Sequence, residues 1–270
     1  PWHHPNMLLN LQLLISFILG GLFIGLQSLI AERVHGFWRN MVLTIPSTMA
    51  LGLFFIGLTK TPQDVVQAAL MVPAGLGPDY LFVMFFALLA RFNFYTSLIG
   101  SLLAWAIFGY GLILYPPASY ITSIFIYALP IIAVTYFVVK KLPQTQDLKP
   151  FPITGRNIFI RAMIGGSVIF LIVLLSKTFG NIWGGLFTVF PASYMATFSI
   201  YYHMQGKESI PTVAKTLFFP GIIGFIIYGW IAAETFPLYG IWLGTLFAYL
   251  GTFIWYSLYH LTQKRLLSKV

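Results

Sequence analysis

Two stretches decide the fold: Gly20 to Pro46, GGLFIGLQSLIAERVHGFWRNMVLTIP, and Gly165 to Pro191, GGSVIFLIVLLSKTFGNIWGGLFTVFP. Laid over each other at an offset of 145 (Gly20 onto Gly165), they align without a gap. Gly20-Gly21 falls on Gly165-Gly166, Trp38 on Trp183 and Pro46 on Pro191. Ile24, Leu26 and Leu29 also find Ile169, Leu171 and Leu174, although aliphatic matches carry little weight in an apolar chain. Further along, the offset drifts to 147, where Val66, Leu70 and Pro73 meet Val213, Leu217 and Pro220. It then settles at 144, where Tyr95, Gly100, Leu102 and Ala104 meet Tyr239, Gly244, Leu246 and Ala248. An internally duplicated hydrophobic chain is the usual trace of a membrane transporter built from two related halves.

Composition places the chain in a bilayer. Of 270 residues, 59% are hydrophobic and only 8% charged, which leaves too little polar surface for a water-soluble domain of this size. The apolar runs are about 20 residues long, the length of a spanning helix and about twice that of a barrel strand. With no cysteine, disulfides and thiolate metal sites are excluded. The net charge of +9 does not indicate nucleic acid, because the basic residues sit in short loops between apolar runs. The first run lacks a small-residue cleavage site and contains Gly20 and Gly21, so it reads as a retained span rather than a signal peptide. Pro1 to Asn6, ahead of Met7, reads as an appended or truncated segment, and His3 and His4 carry no functional weight.

The periodic runs predict an all-α polytopic membrane protein with nine helices, near 8–31, 37–59, 64–90, 93–115, 117–139, 157–177, 181–203, 209–233 and 237–262. The third contains Pro73, Gly75, Gly77 and Pro78 ahead of Asp79, and is expected to be interrupted. Alternating ends put Arg33, Arg39, Arg91, Lys140, Lys141, Lys149, Arg156, Arg161, Lys207, Lys215, Lys264, Arg265 and Lys269 on one side. Only Lys60 and Lys177 fall on the other, so the positive-inside rule predicts an outside N-terminus and a cytoplasmic C-terminus. Adding or removing one span would scramble this asymmetry.

The spans then group as 4 + 1 + 4: residues 1–115 as a first four-helix repeat, 116–155 as a central helix and cytoplasmic loop, and 156–270 as a second repeat. The unpaired central helix turns the second repeat over, giving inverted halves. Consistent with this, Glu32 at the inner end of the first span corresponds to Lys177 at the outer end of the sixth. Inverted halves give alternating access a structural basis, since exchanging their conformations moves an opening from one side to the other.

The paired prolines lie inside apolar runs, where each removes a backbone hydrogen bond and frees a carbonyl about one turn earlier. Pro46 is flanked by Thr44, Ser47 and Thr48, and Pro191 by Thr188, Ser193 and Tyr194. These hydroxyls either satisfy the freed groups or line a cavity. With Gln67, Pro73, Pro220, Lys177 and Lys215 they make up the candidate substrate-binding set. The two lysines either snorkel to the headgroups or face a cavity, where they would favour an anionic group. The Gly-Gly pairs offer smooth surfaces for close packing or for sliding, and Trp38 and Trp183 read as interfacial anchors. Glu32, Asp64, Asp79, Asp147, Glu208 and Glu234 read as loop or span-end residues, with Asp79 the exception if its span is broken. No His-x-x-x-His pair, Asp-rich metal motif, Gly-x-Ser-x-Gly elbow or phosphate loop is present. The sequence therefore predicts no enzyme, no cofactor and no metal.

The stretch from Leu174-Leu175-Ser176-Lys177-Thr178 through Gly185-Leu186 and Phe190-Pro191 to Tyr202 resembles the small four-span bacterial inner-membrane proteins called GlpM-like. The resemblance covers about the last hundred residues and implies a fused, inverted duplication of such a unit in a bacterial inner membrane. It names no substrate. The first half departs from the pattern at Lys177, where it carries Glu32.

The expected function is a secondary transporter or flippase for a small or amphipathic substrate, anionic if Lys177 or Lys215 faces the cavity. The alternative is a non-transporting membrane subunit of an envelope biosynthesis complex, and a channel is the third reading. The expected partners are the lipid bilayer, an unnamed small molecule or lipid, and a second copy of the chain, with no nucleic acid.

Overall fold

Each of the nine apolar runs carries helix in the computed structural model, which describes residues 5–34, 45–142, 154–218 and 222–267. The helices are α1 (Pro5–Arg33), α2 (Ser47–Thr59), α3 (Pro62–Leu89), α4 (Phe94–Leu114), α5 (Tyr120–Lys140), α6 (Gly155–Phe179), α7 (Asn181–Thr188), α8 (Ala192–Gln205), α9 (Ile210–Phe218) and α10 (Ile222–Leu267). Lys207–Ser209 forms a 3-10 turn, and no strand occurs among the described residues. Among the described residues, six helices are long and apolar enough to cross a bilayer, with α10 counted as one. The chain is an all-α integral membrane protein.

Short polar signals set the helix starts. Thr61 and Asp64 form a reciprocal capping box ahead of Pro62, and Asn93, Ser119 and Thr154 accept from the amides of Thr96, Thr122 and Asn157. Capping in place of loops lets consecutive helices return within a few residues.

α10 is two helices. Gly240 takes φ 76°, ψ 172°, a backbone region essentially reserved for glycine. In a straight helix Gly224 and Tyr256 would be about 48 Å apart, yet a β-carbon at Gly224 would collide with the Tyr256 ring. The Tyr228 and Tyr249 rings likewise meet at 5.0 Å. The chain therefore folds back at Gly240, several residues beyond the expected boundary at 234–236.

In the run expected at 37–59 the described helix begins only at Ser47, after Pro46, and the run expected at 181–203 splits into α7 and α8 around Pro191. The third span shows the opposite: α3 runs through Pro73 and Pro78 without a break. It also occupies the centre. Every residue from Met71 to Val83 is buried, and α2, α4, α5, α7, α9 and α10 all pack against it. That enclosure holds the helix through two prolines whose missing amides would otherwise favour an interruption.

The most extensive helix pair is α1 with α6. A β-carbon at Gly20 would press on Ile169, and one at Gly165 on Ile24, so contacts descend along one helix as they ascend the other. The two run antiparallel. α1 turns Leu8, Leu11, Leu14, Ile18, Leu22 and Leu26 outward, as a helix wetted by lipid must.

Candidate functional site

The sequence Pro73-Ala-Gly-Leu-Gly-Pro78-Asp79-Tyr80 builds the centre of the molecule. Its glycines admit neighbours a side chain would exclude: Gly75 faces Val189 at the end of α7, and Gly77 faces Pro130 of α5. Pro73 and Pro78 remove two amides from the ladder, freeing carbonyls near Ala69 and Ala74. The Ala74 amide donates to the Ser123 hydroxyl of α5 at 2.8 Å, so a neighbouring helix takes part in the ladder where the prolines weaken it.

Asp79 follows directly. It was expected near a loop or span end, but it lies inside α3, 6% exposed, with Oδ1 lacking a hydrogen-bond partner. Ten residues separate it from the helix end at Leu89, about 15 Å by helical rise and half the thickness of a hydrocarbon core. Around it stand Tyr80, Tyr127 of α5 and Tyr194 of α8, all within reach of its field. The Tyr80 ring lies 6.2 Å from each of the other two. Tyr80 and Tyr194 hydrogen-bond each other, while the Tyr127 hydroxyl has no partner. Among the described residues, the single ion pair is Lys60 with Asp64, so no base is paired with Asp79.

The proline breaks share one pattern. At Pro46 (φ −75°, ψ 61°) the Ser47 amide donates to the Ile45 carbonyl at 2.7 Å and the Ala50 amide to the Pro46 carbonyl at 2.7 Å. At Pro191 (φ −71°, ψ 37°) the Ala192 amide donates to Phe190 at 2.7 Å and Met195 to Pro191 at 2.8 Å. Every partner is shifted by the same 145 positions. At each proline a tight turn, close to an inverse γ-turn, starts a helix. Trp105 of α4 braces the second break, edge-on to Phe187 at 5.2 Å and Phe190 at 5.0 Å.

A second polar group closes one end of the bundle. Lys60 donates to the Ser176 carbonyl at 3.2 Å and to Asn181, and lies 3.8 Å from Asp64. Asn181 donates to Asp64 at 2.6 Å and to Gln67 at 3.1 Å. Lys177, within the field of Lys60, donates to Gln12 of α1. The two lysines assigned to the outer side thus share one end, while Lys207 donates to the Arg91 carbonyl elsewhere.

The candidate residues therefore separate. Gln67 and Lys177 join the polar end. Tyr194 stands beside Asp79, three residues beyond Pro191, and Pro73 acts within a continuous helix. Thr188 is buried with its hydroxyl on the Gly185 carbonyl, and it faces Gly52 of α2. Pro46 and Ser47 are buried, Thr48 is half-buried, and Ser193 is exposed. Lys215 is half-buried on α9. Thr44 and Pro220 lie outside the described residues, as does Trp38. Tyr95 and Tyr239 are exposed at 72% and 55%, consistent with anchors rather than inward hydroxyls. Asp79 and Tyr127 lay outside the candidate set; an acid after two prolines and two glycines in an apolar run is the signal for Asp79, and no sequence signal marks Tyr127.

No family model, no curated protein and no solved structure matches this chain.

Proposed function

We propose that this chain is a secondary transporter or flippase for a small or amphipathic substrate, working by alternating access between inverted halves 1–115 and 156–270. The carrying observation is the exchange of contacts across the α1–α6 crossing. Gly20 against Ile169 becomes Gly165 against Ile24 when each residue is replaced by its repeat partner. A pseudo-two-fold axis lying in the membrane produces that pattern. The matched breaks at Pro46 and Pro191 support it, because they supply one hinge per half. The Lys60 and Lys177 end offers positive charge to an anionic group entering there. The reading keeps the GlpM-like duplication and the bacterial inner membrane as its setting, with an outside N-terminus and a cytoplasmic C-terminus.

The non-transporting subunit has one observation in its favour, a filled interior. Phe86 stacks on Phe198 at 4.6 Å and Phe82 lies 5.9 Å from Phe86. A closed state of a transporter has the same packing. The buried course of α3 along the bundle centre weighs against a channel.

The test uses the absence of native cysteine. Lys60→Cys, Lys177→Cys and Lys140→Cys variants are labelled in intact cells with a membrane-impermeant maleimide. The first two should react from outside and the third only after permeabilisation. Cytoplasmic labelling of Lys177→Cys would remove the inverted arrangement, and with it this function.

A further inference from the structure

We propose that Asp79, with Tyr80, Tyr127 and Tyr194, is the proton-coupling site of this protein: the carboxylate takes one proton from water on one side and releases it to water on the other. The inference rests on the alternating-access reading and adds the ion that drives it.

Three observations carry it. Asp79 is 6% exposed at mid-depth, and its Oδ1 and the Tyr127 hydroxyl both lack partners. An ionised carboxylate there needs a compensating positive charge, and the surroundings supply none. The titratable groups acting on it are Tyr80 of α3, Tyr127 of α5 and Tyr194 of α8. From α10, Tyr256 acts on Tyr194, while Tyr228 and Tyr249 face each other. Among the described residues, no charged group of α2, α4, α7 or α9 acts on Asp79. A proton neutralises the carboxyl on the spot. Its O–H then needs an acceptor, and the Tyr127 hydroxyl, itself without a partner, belongs to the same cluster.

The second part of the argument is position. Asp79 directly follows Pro78, which removes one amide from the ladder of the unbroken α3, and Tyr194 lies three residues beyond the Pro191 break. The cluster is therefore suspended between two weakened points of the backbone. A swing at Pro191 carries Tyr194 away from Tyr80 and Asp79, opening the carboxyl to water. Proton occupancy and helix position are coupled through one cluster, in which Tyr194 of α8 stands beside Tyr80 and Asp79 of α3. No described set of three His, Cys, Asp or Glu side chains could hold a metal ion.

The test combines two readouts on the full chain in lipid nanodiscs or vesicles. Infrared difference spectra between alkaline and acid pH should show the carbonyl stretch of one buried carboxylic acid, lost in Asp79→Asn, retained in Asp79→Glu and shifted in Tyr127→Phe. Maleimide labelling of Ser193→Cys should change with pH, and that dependence should vanish with Asp79→Asn and return with Asp79→Glu. A wild-type band unchanged in a folded Asp79→Asn protein would overturn the proposal, as would a response to sodium at fixed pH. If Asp79→Asn does not fold, the Tyr127→Phe shift decides, and an unmoved band counts against the site. Labelling that alternates with pH regardless of Asp79 sinks the proton site and leaves the transporter standing. A titrating Asp79 with labelling that never alternates sinks the transporter reading instead.

Discussion

Gly21 and Gly166 meet backbone to backbone: the β-carbon position of Gly166 lies 3.3 Å from the Gly21 amide nitrogen, and that of Gly21 lies 3.8 Å from the Gly166 Cα. These two residues are repeat partners, so the crossing point of α1 and α6 is also where the duplicated segments meet their own equivalents. In lipid, helices associate through close van der Waals packing, and small residues permit the approach.

Gly166→Ala should therefore destabilise the protein by about 2 kcal/mol, the usual scale of overpacking. Its β-carbon would sit 2.6 Å from the Phe17 carbonyl oxygen, which cannot move aside as a side chain would. Gly25→Ala is the control, with ordinary contacts at 3.6 and 3.7 Å to Ala162 and Ile158. Thermal unfolding in detergent should separate them, and equal midpoints would contradict this packing.

Gly240→Ala should cost about 1–3 kcal/mol, because φ 76° with ψ 172° is closed to side chains. The strain falls on the turn rather than on the core. Proteolysis near position 240 should accelerate while the remaining helices stay protected. Uniform loss of protection would place the effect elsewhere.

Ser123→Ala should cost about 1–2 kcal/mol by leaving the Ala74 amide without its partner beside Pro73. Hydrogen exchange at Ala74 should speed up more than at Phe86, whose surroundings have no proline. Identical exchange would show that the serine contributes nothing to the ladder.

Asn181→Leu should loosen the polar end, since one amide joins Lys60, Asp64, Gln67 and Ser176. Exposed ion pairs alone contribute little, typically about 0–1 kcal/mol. Asp64→Asn should therefore shift the unfolding midpoint less than Asn181→Leu, and the reverse order would assign the stability to the ion pair.

Much of the fold could be read before any coordinates. Apolar length gave the helices, because hydrophobic length is a local property of the chain; the caps at Thr61 with Asp64 and at Asn93 emerged with the structure. The third span defeated that reading. Pro73 and Pro78 predict interruption on local grounds, but the surrounding helices enclose the segment, and Ser123 accepts from the Ala74 amide between the two prolines. The eighth boundary failed for a related reason: a polar residue at Glu234 looked like a loop, whereas the turn needed the backbone freedom of Gly240.

The candidate site was legible in parts. The repeat identified Pro46 and Pro191, and proline chemistry is local enough to show that each removes a hydrogen bond, but both runs were expected as continuous spans. Asp79 was misplaced because burial is a property of the neighbours, and Tyr127 and Tyr194 come from helices far away in sequence.

By itself the sequence determined that this is a helical membrane protein, since hydrophobic length acts within one helix. Only the tertiary structure decided which interrupted spans stay straight, that α1 and α6 cross antiparallel at paired glycines, and that a carboxyl lies among three tyrosines. Those outcomes depend on which helices enclose α3, and enclosure fixes the surroundings of each buried group.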